Sequence, residues 1–91
     1  MKSQEIWERA NEQLIFVGVL FTWIQENPND PRIGAGATKL KEMLPCFVGI
    51  DLEAKALVFQ SEVEGIVALY MNRIDEQTIS LSMATGLTLE N

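Results

Sequence analysis

The sequence predicts an all-α fold, a small bundle of three to four helices with a long apolar N-terminal helix, and three observations carry that expectation. The first is the run Leu14-Ile15-Phe16-Val17-Gly18-Val19-Leu20-Phe21-Thr22-Trp23-Ile24, which would be apolar on every side of a helix. Such a helix needs neighbours on more than one face, so it belongs at the centre of a bundle or at a subunit interface. The second is a pair of stripes at 3-4 spacing, Trp7, Ala10, Leu14, Val17, Phe21 and Ile24, then Ala56, Phe59, Val63, Ile66 and Tyr70; this is the helical period. The third is a set of helix start and stop signals placed between the stripes.

The first helix is expected over residues 3–26. Ser3 can cap its first turn, and Glu5 precedes Arg9 by four residues, the favourable order for an ion pair. A further stripe, Phe16, Leu20 and Trp23, faces another direction and is the expected oligomer interface. Residues 14–21 also have strand-like composition, but the stripe begins two turns earlier and runs past them, so the period favours a helix. Asn27-Pro28-Asn29-Asp30-Pro31 ends it, and Asp30-Pro31 can start a second helix over 31–44, uneven through Gly34-Ala35-Gly36 and closed by Pro45.

Phe47-Val48-Gly49-Ile50 reads as an apolar connector tucked into the core. Asp51, with Glu53 in the first turn, starts a third helix over 51–73. Gly65 inside it costs about 1 kcal/mol relative to alanine, offset most easily if another backbone comes close there. Residues 75–89 read two ways. Ile79, Leu81, Met83, Leu87 and Leu89 alternate like a strand, with Ala84-Thr85-Gly86 as a turn between two short strands, whereas Asp75-Glu76-Gln77 resembles the first turn of a helix closed by Gly86. A fourth helix near 75–85 is the expectation, because a lone hairpin on a helical bundle has no sheet to join.

With 47% hydrophobic and 22% charged residues in 91, the chain is expected to form a single domain over 1–91. So short a chain has a thin core, and a homo-oligomer is expected to reinforce it. Thirteen acidic and seven basic residues give a net charge of −6, with Lys and Arg scattered rather than clustered. Without a positive stripe, direct nucleic-acid binding is not expected; the acidic surface suits a protein partner with a basic face. Cys46 is the single cysteine and histidine is absent, so no disulfide, no metal site, no cofactor and no base-activated nucleophile are expected. The apolar run is shorter than the about 20 residues a membrane helix needs, and the mixed, acidic segment before it does not resemble a signal peptide. A cytoplasmic location without membrane insertion follows as the expectation.

Gly34-Ala35-Gly36-Ala37-Thr38-Lys39 resembles a phosphate cradle in outline, although it matches neither the nucleotide-binding loop nor the dinucleotide fingerprint. On that reading Arg32, Gly34, Gly36, Thr38, Lys39 and Lys41 would hold a phosphate-bearing small ligand such as a nucleotide, at or near a subunit interface; on the structural reading the glycines let two helices meet closely. Glu5, Glu8 and Glu12 share one side of the first helix, either as a solvated face or as a stripe that docks a partner. Asp51 with Glu53 and Asp75 with Glu76 sit at expected helix starts, where acidic residues belong for dipole reasons. Cys46 reads as a small packed side chain. No reaction is suggested by these residues. The expected function is non-catalytic: a protein-binding module, in the manner of adaptors, immunity proteins, antitoxins and phage-type inhibitors, acting as an oligomer through a helical surface. Binding of the phosphate-bearing ligand is the alternative.

Overall fold

Leu44 and Pro45 divide the chain: the described helices all lie before them and the described strands all after them. The computed structural model describes residues 1–87. Its helices are α1 (Ser3–Glu12), α2 (Leu14–Glu26) and α3 (Arg32–Met43), and its strands are β1 (Phe47–Asp51), β2 (Ala56–Ser61), β3 (Gly65–Arg73) and β4 (Ile79–Leu87). The strands form one antiparallel meander in the order β1-β2-β3-β4. The fold is therefore α+β, and the all-α bundle is overturned.

The expected helix over 3–26 is two helices. Gln13, at φ −112° and ψ 33°, leaves helical geometry and separates them. Its amide donates to the Ala10 carbonyl (3.1 Å) while its own carbonyl accepts from Val17 (2.9 Å), so one helix closes as the next begins. The break lets α1 lie beside β4, where Trp7 Nε1 donates to the Leu81 carbonyl at 2.9 Å. Pro45 and the Asn27–Pro31 turn act as expected, and α3 falls close to the predicted 31–44.

The expected third helix, 51–73, is a turn followed by the β2–β3 hairpin. Asp51 Oδ1 accepts from the amides of Glu53 and Ala54 at 3.1 and 3.0 Å, as a helix cap would, but the chain then passes through Lys55 at φ 57° and reverses. Ser61 Oγ does the same for the amides of Val63 and Glu64. Gly65 follows at φ +75° with nothing within 4 Å of where a Cβ would stand, so it serves the turn and admits no close neighbour. The 3-4 stripe is thus scattered: Phe59 is in the core, Val63 is 70% exposed in the turn, and Ile66 and Tyr70 lie on the far face of the sheet.

The expected fourth helix, 75–85, is a turn and a strand. Asp75 Oδ1 accepts from the amides of Gln77 and Thr78, both at 2.8 Å, and β4 then pairs along β3 from Arg73↔Ile79 to Ile66↔Leu87. Thr85 and Gly86 are not a turn between two strands. They stand together opposite Val67 in a bulge, with Gly86 at φ +71°. Leu89 lies outside the described residues. The expected connector 47–50 is strand β1, with Val48 the extra residue of a second bulge. A sheet was there for β4 to join because the segment read as a third helix supplies it.

All three helices pack on one face of the sheet. Ile6, Leu20, Phe21 and Leu40 meet Leu57, Phe59, Val67 and Leu69 in one core cluster, and the rings of Phe47 and Phe59 sit 5.3 Å apart at 60°. Two glycines set the spacing. A Cβ on Gly36 would stand 2.9 Å from Leu20 Cδ1, so α3 presses against α2, and one on Gly18 would stand 2.6 Å from Ile79 Cδ1, so α2 presses against β4. On the opposite face Ala56, Ile66 and Ala68 are buried outside that core cluster.

Candidate docking surface

From Leu14 to Gln25 helix α2 carries no charged side chain, and with Val17, Leu20, Phe21 and Ile24 buried its remaining stripe is left to solvent. Ile15 is 88% exposed and Val19 42%. Beside this stripe an open cleft of about 460 Å³ runs between α2 and the end of the β3–β4 hairpin, lined by Leu14, Ile15, Gly18, Val19, Thr22 and Trp23 on one side and Arg73, Glu76, Gln77, Thr78 and Ile79 on the other. A second hollow of about 480 Å³ lies across Ile15, bounded by Asn11, Glu12, Gln13, Leu14 and Phe16. Ile15 is therefore an apolar ridge between two depressions.

The local sequence explains how the walls are held. Gly18 lets Ile79 under the helix. The Asp75 turn, closed by the Ile74 amide donating to the Thr78 carbonyl at 2.9 Å, presents Glu76, Gln77 and Thr78 at the rim. Thr22 donates to the Gly18 carbonyl at 2.8 Å and receives Arg73 Nη2 at 3.5 Å. Arg32 lies 4.6 Å above the Trp23 ring centroid and is paired with Asp30 at 2.7 Å. That pairing holds the Asp30 carboxyl below its ordinary range and raises the Arg32 guanidinium. The Gln77 amide, with Thr78 adding to it, likewise holds Asp75 low. Two exposed carboxylates border the hollows, Glu12 and Glu76, with Arg73 in the same wall as Glu76, and α2 has no basic residue in its last turn.

Of the expected interface residues, Leu20 is fully buried and Phe16 and Trp23 are half-buried against the core. The exposed apolar stripe is the adjacent one, Ile15 and Val19. Sequence reasoning missed it, although the signal was present: a run apolar on every side must leave some stripe outside. Glu5, Glu8 and Glu12 are all exposed on α1, and Glu5 Oε1 accepts the Lys2 amide at 3.4 Å.

The residues of the expected phosphate cradle all lie on α3 and do not converge. Arg32 is held by Asp30, Gly36 faces Leu20 and Trp23, and Thr38 Oγ1 donates to the Gly34 carbonyl at 3.1 Å. Lys41 Nζ donates to the carbonyls of Pro45 (2.6 Å) and Phe47 (3.0 Å), tying the helix to β1. Lys39 is exposed. Asp30 Oδ1 accepts the Arg32 amide at 2.9 Å, so a carboxylate already occupies the start of this helix. Cys46 is half-buried, and burial pushes its thiol up from the ordinary range.

Each edge of the sheet also has a carbonyl engaged by a helix side chain: Leu81 on β4 by Trp7, and Phe47 on β1 by Lys41. Such contacts blunt strand addition. Among the described residues no cluster of three or more His, Cys, Asp or Glu could hold a metal ion, and no helix is long and apolar enough to cross a membrane. What the fold and surface define is a two-layer α+β domain with an open apolar groove bordered by Arg73 and Glu76. No protein-family model, curated protein or solved structure matches this chain.

Proposed function

We propose that this protein is a non-catalytic binding module that engages a protein partner through the groove between α2 and the β3–β4 hairpin. The observation that carries the reading is Ile15, a large apolar side chain 88% exposed on a helix uncharged from Leu14 to Gln25 and lining two hollows. Apolar side chains scattered singly on a surface need no explanation, but a ridge with Val19 behind it and a cleft beside it is a surface shaped to be covered. The acidic face of Glu5, Glu8 and Glu12 on α1 would speed the approach of a basic partner. Self-association, if it occurs through α2, uses the same stripe, because Leu20 is turned inward; partner and second copy would then compete. A cytoplasmic setting, which keeps the single thiol reduced, belongs to the same proposal.

The phosphate-ligand alternative is not carried forward, because Arg32 and Lys41 are already engaged and the amides of the segment lie within a helix. The test is to purify tagged wild type and an Ile15→Asp variant from the native host and compare what co-purifies by native mass spectrometry. A stoichiometric protein present with wild type and lost with the folded variant supports the proposal. The same protein retained at full stoichiometry by Ile15→Asp, or a bound metabolite in place of any protein, refutes it.

A further inference from the structure

The occupant of the groove can be described further by its shape and charge, and we infer that it is a basic amphipathic helix of about three to four turns. This rests on the protein-binding reading above. Helix α2 lines the cleft from Leu14 to Trp23, about 15 Å or three turns at 1.5 Å per residue. Ile15 and Val19 stand four apart on that helix, and a row at this spacing fits between the side-chain rows of a second helix. The hollows on either side of Ile15 are then the places where apolar side chains at i and i+3 or i+4 of the incoming helix lodge. An extended segment is less suited, since the Leu81 carbonyl on β4 is already bonded to Trp7.

Charge selects the flanks. Glu12 borders one hollow and Glu76 the other. Arg73 also lines the cleft and keeps its charge, with Nη2 3.5 Å from the neutral Thr22 hydroxyl, and Arg32 behind Trp23 is neutralised by Asp30. Lysine or arginine on both flanks of an apolar stripe complements Glu12 and Glu76, set clear of Arg73.

The experiment uses the full chain and three synthetic 14-residue peptides: leucine and lysine at helical spacing, the same composition in strict alternation, and leucine with glutamate at helical spacing. Trp23 lines the groove, so binding is followed by tryptophan emission and by calorimetry, with Ile15→Asp and Glu76→Lys as variants. Both side chains are exposed, and a thermal melt confirms that each variant folds. The helical leucine–lysine peptide should bind saturably, at least tenfold more weakly to Ile15→Asp and severalfold more weakly to Glu76→Lys, and the glutamate peptide should not bind. Because Ile15→Asp adds a negative charge, unchanged or tighter binding to it would mean simple charge attraction and would overturn the inference. Preference for the alternating peptide, equal binding of the glutamate peptide, or no saturable binding of any peptide would overturn it too, as would a wild-type dimer in sedimentation that Ile15→Asp dissolves, which would make a second copy the occupant. None of these outcomes removes a host protein lost on Ile15→Asp, so the broader reading stands or falls separately.

Discussion

Gly34 and Gly36 lie two residues apart in the same helix, and replacing each by alanine should change stability in opposite directions. Gly34 is exposed, and nothing lies within 4 Å of where its Cβ would be. Alanine there restricts the unfolded chain and favours the helix, a gain of about 0.5–1 kcal/mol. Gly36 has the same intrinsic gain available, but its Cβ would stand 2.9 Å from Leu20 Cδ1 and 3.6 Å from Trp23 Cζ3. Carbon atoms rest at about 3.5–4.0 Å, and Leu20 is fully buried, so it has little room to yield. Overpacking of this kind costs about 1–3 kcal/mol. The net for Gly36→Ala is then a loss of about 0–2 kcal/mol, and for the bulkier Gly36→Val a larger one. In a domain of this size about 1 kcal/mol moves Tm by about 4–8 °C, so circular-dichroism melts should show Gly34→Ala above wild type and Gly36→Ala at or below it. Equal stabilisation by both would refute the close packing of α2 on α3.

Phe59→Ala should cost about 3–5 kcal/mol in urea unfolding, because Phe59 is fully buried against Phe47 and the helices; a loss below about 1 kcal/mol would mean that the sheet does not pack as described. Asp75 should make stability depend on acid. Its folded pKa lies below the ordinary value, so its contribution is present above about pH 4 and fades as pH falls through the lower folded value. Asp75→Asn keeps the accepting oxygen but does not titrate, and should therefore show a shallower acid limb; a limb identical to wild type would contradict the turn geometry.

The sequence by itself determined that the first half of the molecule is helical and where α2 and α3 end, but not the break at Gln13 that divides the expected long helix into α1 and α2. Prolines at 28, 31 and 45, the Asn and Asp beside them and the 3-4 stripe act within a few residues of one another, and the end of α2 and both ends of α3 fall close to where those signals put them. The surface position of Glu5, Glu8 and Glu12 was legible for the same reason. The second half was misread because its local signals serve two structures equally. A side-chain oxygen that accepts the amides two and three residues ahead caps a helix or turns a hairpin, and Asp51 and Asp75 do the latter. The spacing of Ala56, Phe59, Val63, Ile66 and Tyr70 matched a helix although these residues fall on β2, a turn and β3, and β3, buried from Ile66 through Leu69 in a row, lacks the alternation that would mark it as a strand.

Tertiary structure decided the rest. Ile79, Leu81 and Met83 alternate plainly, yet alternation becomes a strand only when another strand accepts its hydrogen bonds, and that depends on how residues 56–73 fold. The candidate groove has the same character. A helix apolar on every side shows which residues share a stripe, but the sheet and α3 chose which stripes to cover, and by taking Leu20 and Phe21 they left Ile15 and Val19 outside.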